Sequence, residues 1–180
     1  MRFQISEFRF QIAGALLAAA LLVATARVVR AEVIDRVLAV VAGQPITLSD
    51  VVGARDLGFQ SADDAADPLR AILSKLIDRE LMLAETDRYG PPEPTADAVD
   101  RGVARVRARF ASQAEFDASV ARSGIDAQHL RETVRQNLRI AAYLDQRFTA
   151  AGDRRQALID DWIAGLRRRG NVLDLYLPDR

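Results

Sequence analysis

From Val33 to Val41 the chain is β-branched and apolar apart from Asp35 and Arg36, a pattern that predicts a strand. Ala42-Gly43-Gln44 follows as a turn, and Pro45 to Thr47 reads as the return strand. Proline suits an edge or first position there, because no ladder donor is required of it. Thr47 and Asp50, three residues apart, have the spacing of an N-cap with an acidic partner at the positive end of a helix. That helix is expected from Leu48 to about Phe59. A lone hairpin is unstable by itself. The other strand-like stretch is Asn171 to Leu177, NVLDLYL, at the far end of the chain. Pairing the two would close the domain.

Between these ends the apolar spacing is helical. After a polar loop, Gln60 to Asp67, Pro68 opens the strongest pattern: Leu69, Ile72, Leu73, Leu76, Ile77, Leu81, Leu83 and Ala84 cover two adjoining faces. A stripe that broad predicts a helix covered on more than one side. Gly90 stops it and Pro91-Pro92-Glu93-Pro94 makes a stiff connection. Thr95 caps a helix with a single stripe, Val99, Val103, Val106 and Phe110. Ser112 caps a short one with Phe116 and Val120, ended by Gly124. Asp126 caps a long one in which Leu130, Val134, Leu138, Ala141 and Leu144 face one way. A last helix carries Leu158, Ile159, Trp162, Ile163 and Leu166, and ends at Gly170. The expected order is β-hairpin, six helices, strand: mostly α with a small β element.

Residues 1–31 have the pattern of an export signal. Arg2 and Arg9 precede an apolar run, Ile12 to Ala26, and Val29-Arg30-Ala31 suits cleavage after Ala31; Ala24-Thr25-Ala26 is the second choice. The run is shorter than the roughly 20 residues of a spanning helix, so removal is favoured over retention as an anchor. No cysteine is present to carry a lipid. Residues 32–180 then form one domain, with an expected address in the periplasm. The leader holds four of the 25 basic residues and one of the 25 acidic ones, leaving 21 against 24, a net of −3. That balance argues against binding nucleic acid or anionic lipid by bulk charge.

Candidate chemistry is sparse. His129 is the single histidine, with Asp126 and Glu132 each three residues away; it reads as a helix-surface residue near a capping aspartate. Asp160-Asp161 and Asp63-Asp64 are adjacent pairs. Neighbours on a helix diverge by about 100°, so they do not share a proton as paired catalytic carboxylates do. Arg101, Arg105, Arg107 and Arg109 flank an apolar stripe and are partly offset by Asp97 and Asp100. No phosphate loop, nucleophile elbow or zinc motif occurs. No catalytic, cofactor-binding or metal-binding residue is expected, and the aromatic residues, Phe59, Tyr89, Phe110, Phe116, Tyr143, Phe148, Trp162 and Tyr176, read mainly as core.

In combination these pieces resemble the core domain of the SurA-type periplasmic chaperones, which share a helical fold with the peptide-binding domain of trigger factor. Val37 to Asp50, VLAVVAGQPITLSD, is similar to the family's opening hairpin. Leu76 to Glu85 with Tyr89-Gly90 resembles its long helix, and Pro94-Thr95 with Val99 the next helix entry. Phe116, Gly124, Leu130-Arg131 and Leu138 match later spacings; Trp162, Leu166 and the strand to Leu177 resemble the returning segment. Ala42-Gly43 departs from the family's usual turn residues. Larger members insert parvulin prolyl-isomerase modules before the returning helix, whereas the corresponding junction here, Phe148 to Asp153, is too short for one. The resemblance therefore implies a core-only chaperone, not an enzyme. It would bind unfolded polypeptides, outer-membrane proteins among them, with no ATP or other cofactor. A structural or assembly subunit with one dedicated partner is the alternative, and a prolyl isomerase is disfavoured. Peptide-contacting residues and oligomeric state stay open at this level.

Overall fold

A computed structural model describes residues 35–178; the expected leader and the first two strand residues, Val33 and Ile34, lie outside them. Strand β1 (Val37–Val41) and strand β2 (Gln44–Thr47) form the hairpin. Helices α1 (Leu48–Asp56), α2 (Pro68–Tyr89), α3 (Ala96–Arg107), α4 (Gln113–Ser123), α5 (Ala127–Arg147) and α6 (Gly152–Arg169) follow, and strand β3 (Val172–Asp174) returns. The sheet is antiparallel in the order β2-β1-β3, so β1 is central and the first and last described strands meet there. The expected mostly helical fold with a closing C-terminal strand is what the chain forms.

Local signals set most boundaries. Ala42 and Gly43 both have positive φ, +50° and +87°, as a two-residue hairpin turn requires. Thr47 and Asp50 make a reciprocal capping box: the Asp50 amide donates to Thr47 Oγ1, and the Thr47 amide donates to Asp50 Oδ2 at 2.8 Å. Thr95, Ser112 and Asp126 each accept an amide of the following turn, and left-handed Gly124 ends α4.

Three expectations on extent change. Helix α1 stops at Asp56, not near Phe59, because Gly58 turns left-handed and the Phe59 and Gln60 amides both fold back to the Ala54 carbonyl. β3 is shorter than Asn171–Leu177. The Leu175 amide still donates to the Leu38 carbonyl, but the Tyr176 amide is taken by Asp174 Oδ1, which ends the ladder. In α5 the buried side runs Leu130, Val134, Ile140 and Tyr143, whereas Ala141 is exposed and Leu144 half-buried. The physical reason is a change of partner along the helix: its first half joins the α3–α4 core, while Tyr143 meets Trp162 of α6 at 5.8 Å between ring centres.

Two apolar cores result. The sheet, α1, α2 and Leu166 of α6 share one, built around Leu38, Val41, Ile72 and Leu73; Leu57, α3, α4 and α5 share the other, around Val106, Phe116 and Val134. Phe59 packs against both. Fully burying each such side chain stabilises the fold by about 1.5–3 kcal/mol.

The second core depends on close approach of α3 to α5. Gly102 is buried, and a Cβ placed on it would lie 2.4 Å from Val134 Cγ1. Gly102→Ala should therefore destabilise the protein by about 1–3 kcal/mol through overpacking, despite alanine's better helix propensity of about 1 kcal/mol. Urea titration would check this, and an unchanged or raised midpoint would show that α3 moves away at no cost.

Candidate functional site

A cavity of about 380 Å3 opens at the seam between the two cores. Its apolar wall comes from Pro45 and Ile46 of β2, Ala54 of α1, Phe59 of the connecting loop and Leu76 of α2. Ile125, just before α5, completes it. The facing wall is α5, which presents His129, Glu132, Thr133, Gln136 and Asn137 at the three- and four-residue spacing of one helix face. The Thr47–Asp50 capping box, the Asp126 cap of α5 and the proline connection fix where these walls stand.

The polar wall is internally bonded. Arg79 of α2 donates through Nε to Asn137 Oδ1 at 2.8 Å and through Nη2 to Gln136 Oε1 at 2.6 Å, and through Nη1 to Glu80. One guanidinium thereby ties α2 to α5 across the cavity floor. Arg135 binds both oxygens of Glu132, at 2.8 and 2.6 Å, and also Glu93 in the proline-rich connection. Those bonds hold Glu132 below the usual glutamate range. Arg139 pairs with Asp87 at 2.5 Å and Glu93 at 2.9 Å, so the α2–α3 connection is pinned to α5 by charge.

Glu80 is the electrostatic exception. Burial pushes its carboxyl above the usual glutamate range; the Arg79 charge and hydrogen bond oppose that, while Asp50 and Asp87 add to it. A carboxyl whose folded value is raised favours the fold while protonated. That contribution is complete below the ordinary 4.5 and is lost as pH rises through the folded value. Glu132 works in the opposite sense, losing its contribution as pH falls.

His129 lies on the cavity rim, half-exposed, and faces Asp50 of α1 at 3.6 Å. The sequence placed it beside Asp126 and Glu132. Its backbone amide does donate to Asp126 Oδ1 at 2.7 Å, but its ring meets a carboxylate from a different helix. The other charged candidates lie apart from the cavity. Asp63 pairs with Lys75 at 2.8 Å, Asp64 and Asp161 are exposed, and Asp160 accepts from Gln156. Arg109 folds back to the Gly58 carbonyl at 2.6 Å, and Arg107 lies over the Phe116 ring at 5.3 Å. Among the aromatic residues, Phe59 lines the cavity. Tyr143, Phe148 and Trp162 instead stack at the α5–α6 junction beneath Arg147. Among the described residues no group of three or more His, Asp or Glu side chains is placed to hold a metal ion. No described helix is long and apolar enough to cross a membrane.

The spacing of α2 puts Arg79 on its wet side with Asp78, Glu85 and Arg88, but its side chain is only 12% exposed and is turned to α5; Gln136 and Asn137 are not singled out by the sequence. Their amphipathic position between the apolar residues of α2 and α5 was a signal, but the pairing across the seam depends on tertiary packing.

The fold and site thus define a small helical domain, closed by pairing of its first and last described strands, with a mixed apolar and amide-lined cavity. No protein-family model matches the chain. It is similar to the protein named Chaperone SurA of Alkalilimnicola ehrlichii, with 31% identity over 144 aligned positions, covering 74% of this chain. The chain spans about a third of the length of that curated relative, 32%.

The raised Glu80 carboxyl gives a direct test. The Glu80 contribution to folding stability should be lost as pH rises above about 4.5, so Glu80→Gln should gain stability relative to the parent as pH rises. Denaturant midpoints between about pH 4 and pH 8 would show it. A difference between variant and parent that stays constant with pH would place the titration on another group.

Proposed function

We propose that this chain is a chaperone-like binder of unfolded polypeptides acting in the periplasm after export, without isomerase activity of its own. The observation that carries the reading is the cavity between the two cores. An apolar wall accepts side chains of varied shape, and the opposite wall of amide and hydroxyl groups can hydrogen-bond a client main chain without reading its sequence. The similarity to a protein named as a chaperone supports the same reading. The α5–α6 junction, Phe148 to Ala151, is short and leaves no room there for an inserted isomerase module, in keeping with that reading. Binding would work by mass action, lowering the concentration of unfolded chain free to aggregate; no nucleotide or metal is required. Outer-membrane polypeptides, with their long alternating apolar segments, are the expected clients.

The test is dilution of a denatured outer-membrane β-barrel with and without this chain, followed by light scattering. Suppression near stoichiometric ratio is expected, with no acceleration of prolyl isomerisation in a model peptide. Thr133→Phe, which places a ring in the cavity from α5, should reduce client affinity at least tenfold while leaving the thermal midpoint within a few degrees of the parent. A well-folded parent protein that suppresses nothing would sink the proposal and favour the dedicated-partner alternative.

A further inference from the structure

The two outer edges of the sheet are treated differently. In the β1–β3 pair, the Ala42 amide donates to the Asn171 carbonyl at 2.9 Å and the Leu175 amide to the Leu38 carbonyl at 3.0 Å. With Val40 opposite Leu173, the alternation of an antiparallel ladder turns the main-chain groups of Asn171, Leu173 and Leu175 toward β1. Those of Val172 and Asp174 then face outward. Across the sheet, the same alternation turns Pro45 and Thr47 of β2 outward. Pro45 has no N–H to offer, and the Thr47 amide is already bound by Asp50. Among the described residues, the β2 edge is closed to a further strand and the β3 edge is unpaired.

Proteins ordinarily blunt exposed edges with proline, charge or a bulge. β3 has a single charge, Asp174, whose carboxylate is turned to Arg70 at 2.5 Å, and it has no proline. Beside its open main chain, Leu173, Leu175 and Leu177 alternate and are 55%, 46% and 79% exposed. Leu173 continues a cross-strand row through Val40 to Pro45 on the face away from Ala39 and Val41 of the core. Two outward donor–acceptor sets spaced two residues apart, about 6.6–6.8 Å, match an extended backbone.

We propose that the outer edge of β3 receives an extended segment of an unfolded polypeptide as a fourth strand. Val172 and Asp174 supply the main-chain hydrogen bonds, and the exposed leucines select alternating apolar side chains. This rests on the client-binding reading and adds a second contact to it, distinct from the cavity beyond β2. Backbone pairing gives affinity without sequence specificity, and the leucines favour segments that themselves form half-apolar strands.

The test uses the full 180-residue chain with two synthetic peptides. One is an alternating apolar–polar decamer; the other is the same decamer N-methylated at two consecutive central residues, which removes a donor from each of its edges. Amide exchange by NMR follows the protein. The unmodified peptide should slow exchange at Val172 and Asp174 at least tenfold, and the methylated peptide should bind at least tenfold more weakly. Equal binding of both peptides, with Val172 and Asp174 unprotected, would overturn the edge proposal and leave client binding standing. Failure to bind either peptide, together with failure to suppress client aggregation, would overturn both. Protection of Val172 and Asp174 that grows with protein concentration alone would assign the edge to a second copy of this chain and likewise overturn the proposal.

Discussion

The structure depends on strand β1 being held from both sides by strands from distant parts of the chain. The hairpin supplies β2 at little entropic cost, since a two-residue turn keeps the partner close. β3 arrives only after six helices, so its bonds to β1 are gained only when those helices have packed. Tyr176 fastens that closure. Its hydroxyl donates to the Asp67 carboxylate at 2.8 Å, and Asp67 is also the cap of α2, accepting the Arg70 amide at 2.9 Å. Arg70 then reaches Asp174. The start of the longest described helix and the end of the described chain are thereby joined through one carboxylate and one guanidinium.

With the ends tied, α1 and α2 form a platform on the sheet while α3, α4 and the first half of α5 pack among themselves. The seam between these cores is crossed by Phe59, by the packing of α1 on α4 at Gly53 and Ser123, and by the Arg79 fork to α5. On the α2–α5 side the crossing is made by hydrogen bonds and not by apolar packing, and unfilled volume lies beside it. The cavity thus follows from how the two cores meet. Glu80 shows the cost: a carboxylate beside the neutralising Arg79 still has burial working against its charge.

How much of this the sequence carried depends on the range of each interaction. Thr47 and Asp50, Asp126 and the Ala42-Gly43 turn act within four residues, and each does what its residue type and spacing imply. The broad stripe of α2 correctly signalled a helix covered on several sides. Errors arose where a distant partner set the outcome. Tyr143 of α5 is buried against Trp162 of α6, and β3 ends early because the Asp174 side chain captures the Tyr176 amide. The site was legible only in outline. Aliphatic and aromatic residues were readable as core or groove, but the Arg79–Gln136–Asn137 bridge joins residues nearly 60 positions apart and leaves no local signature.

The cavity and the β3 edge also differ in what they can recognise. The cavity walls are side chains whose polar groups are largely bonded to one another, so an entering segment must compete with existing hydrogen bonds or settle for apolar contact with Ile46, Phe59 and Leu76. Among the described residues the outward groups of Val172 and Asp174 have no main-chain partner, and pairing them requires only that the incoming chain be extended. β2, which lines the cavity, is closed to strand addition by Pro45 and the capping box, while β3 on the opposite edge is not. One sheet therefore separates side-chain recognition on one edge from main-chain recognition on the other. Unfolded polypeptide offers both kinds of group at once, which a folded surface with its main chain already paired does not.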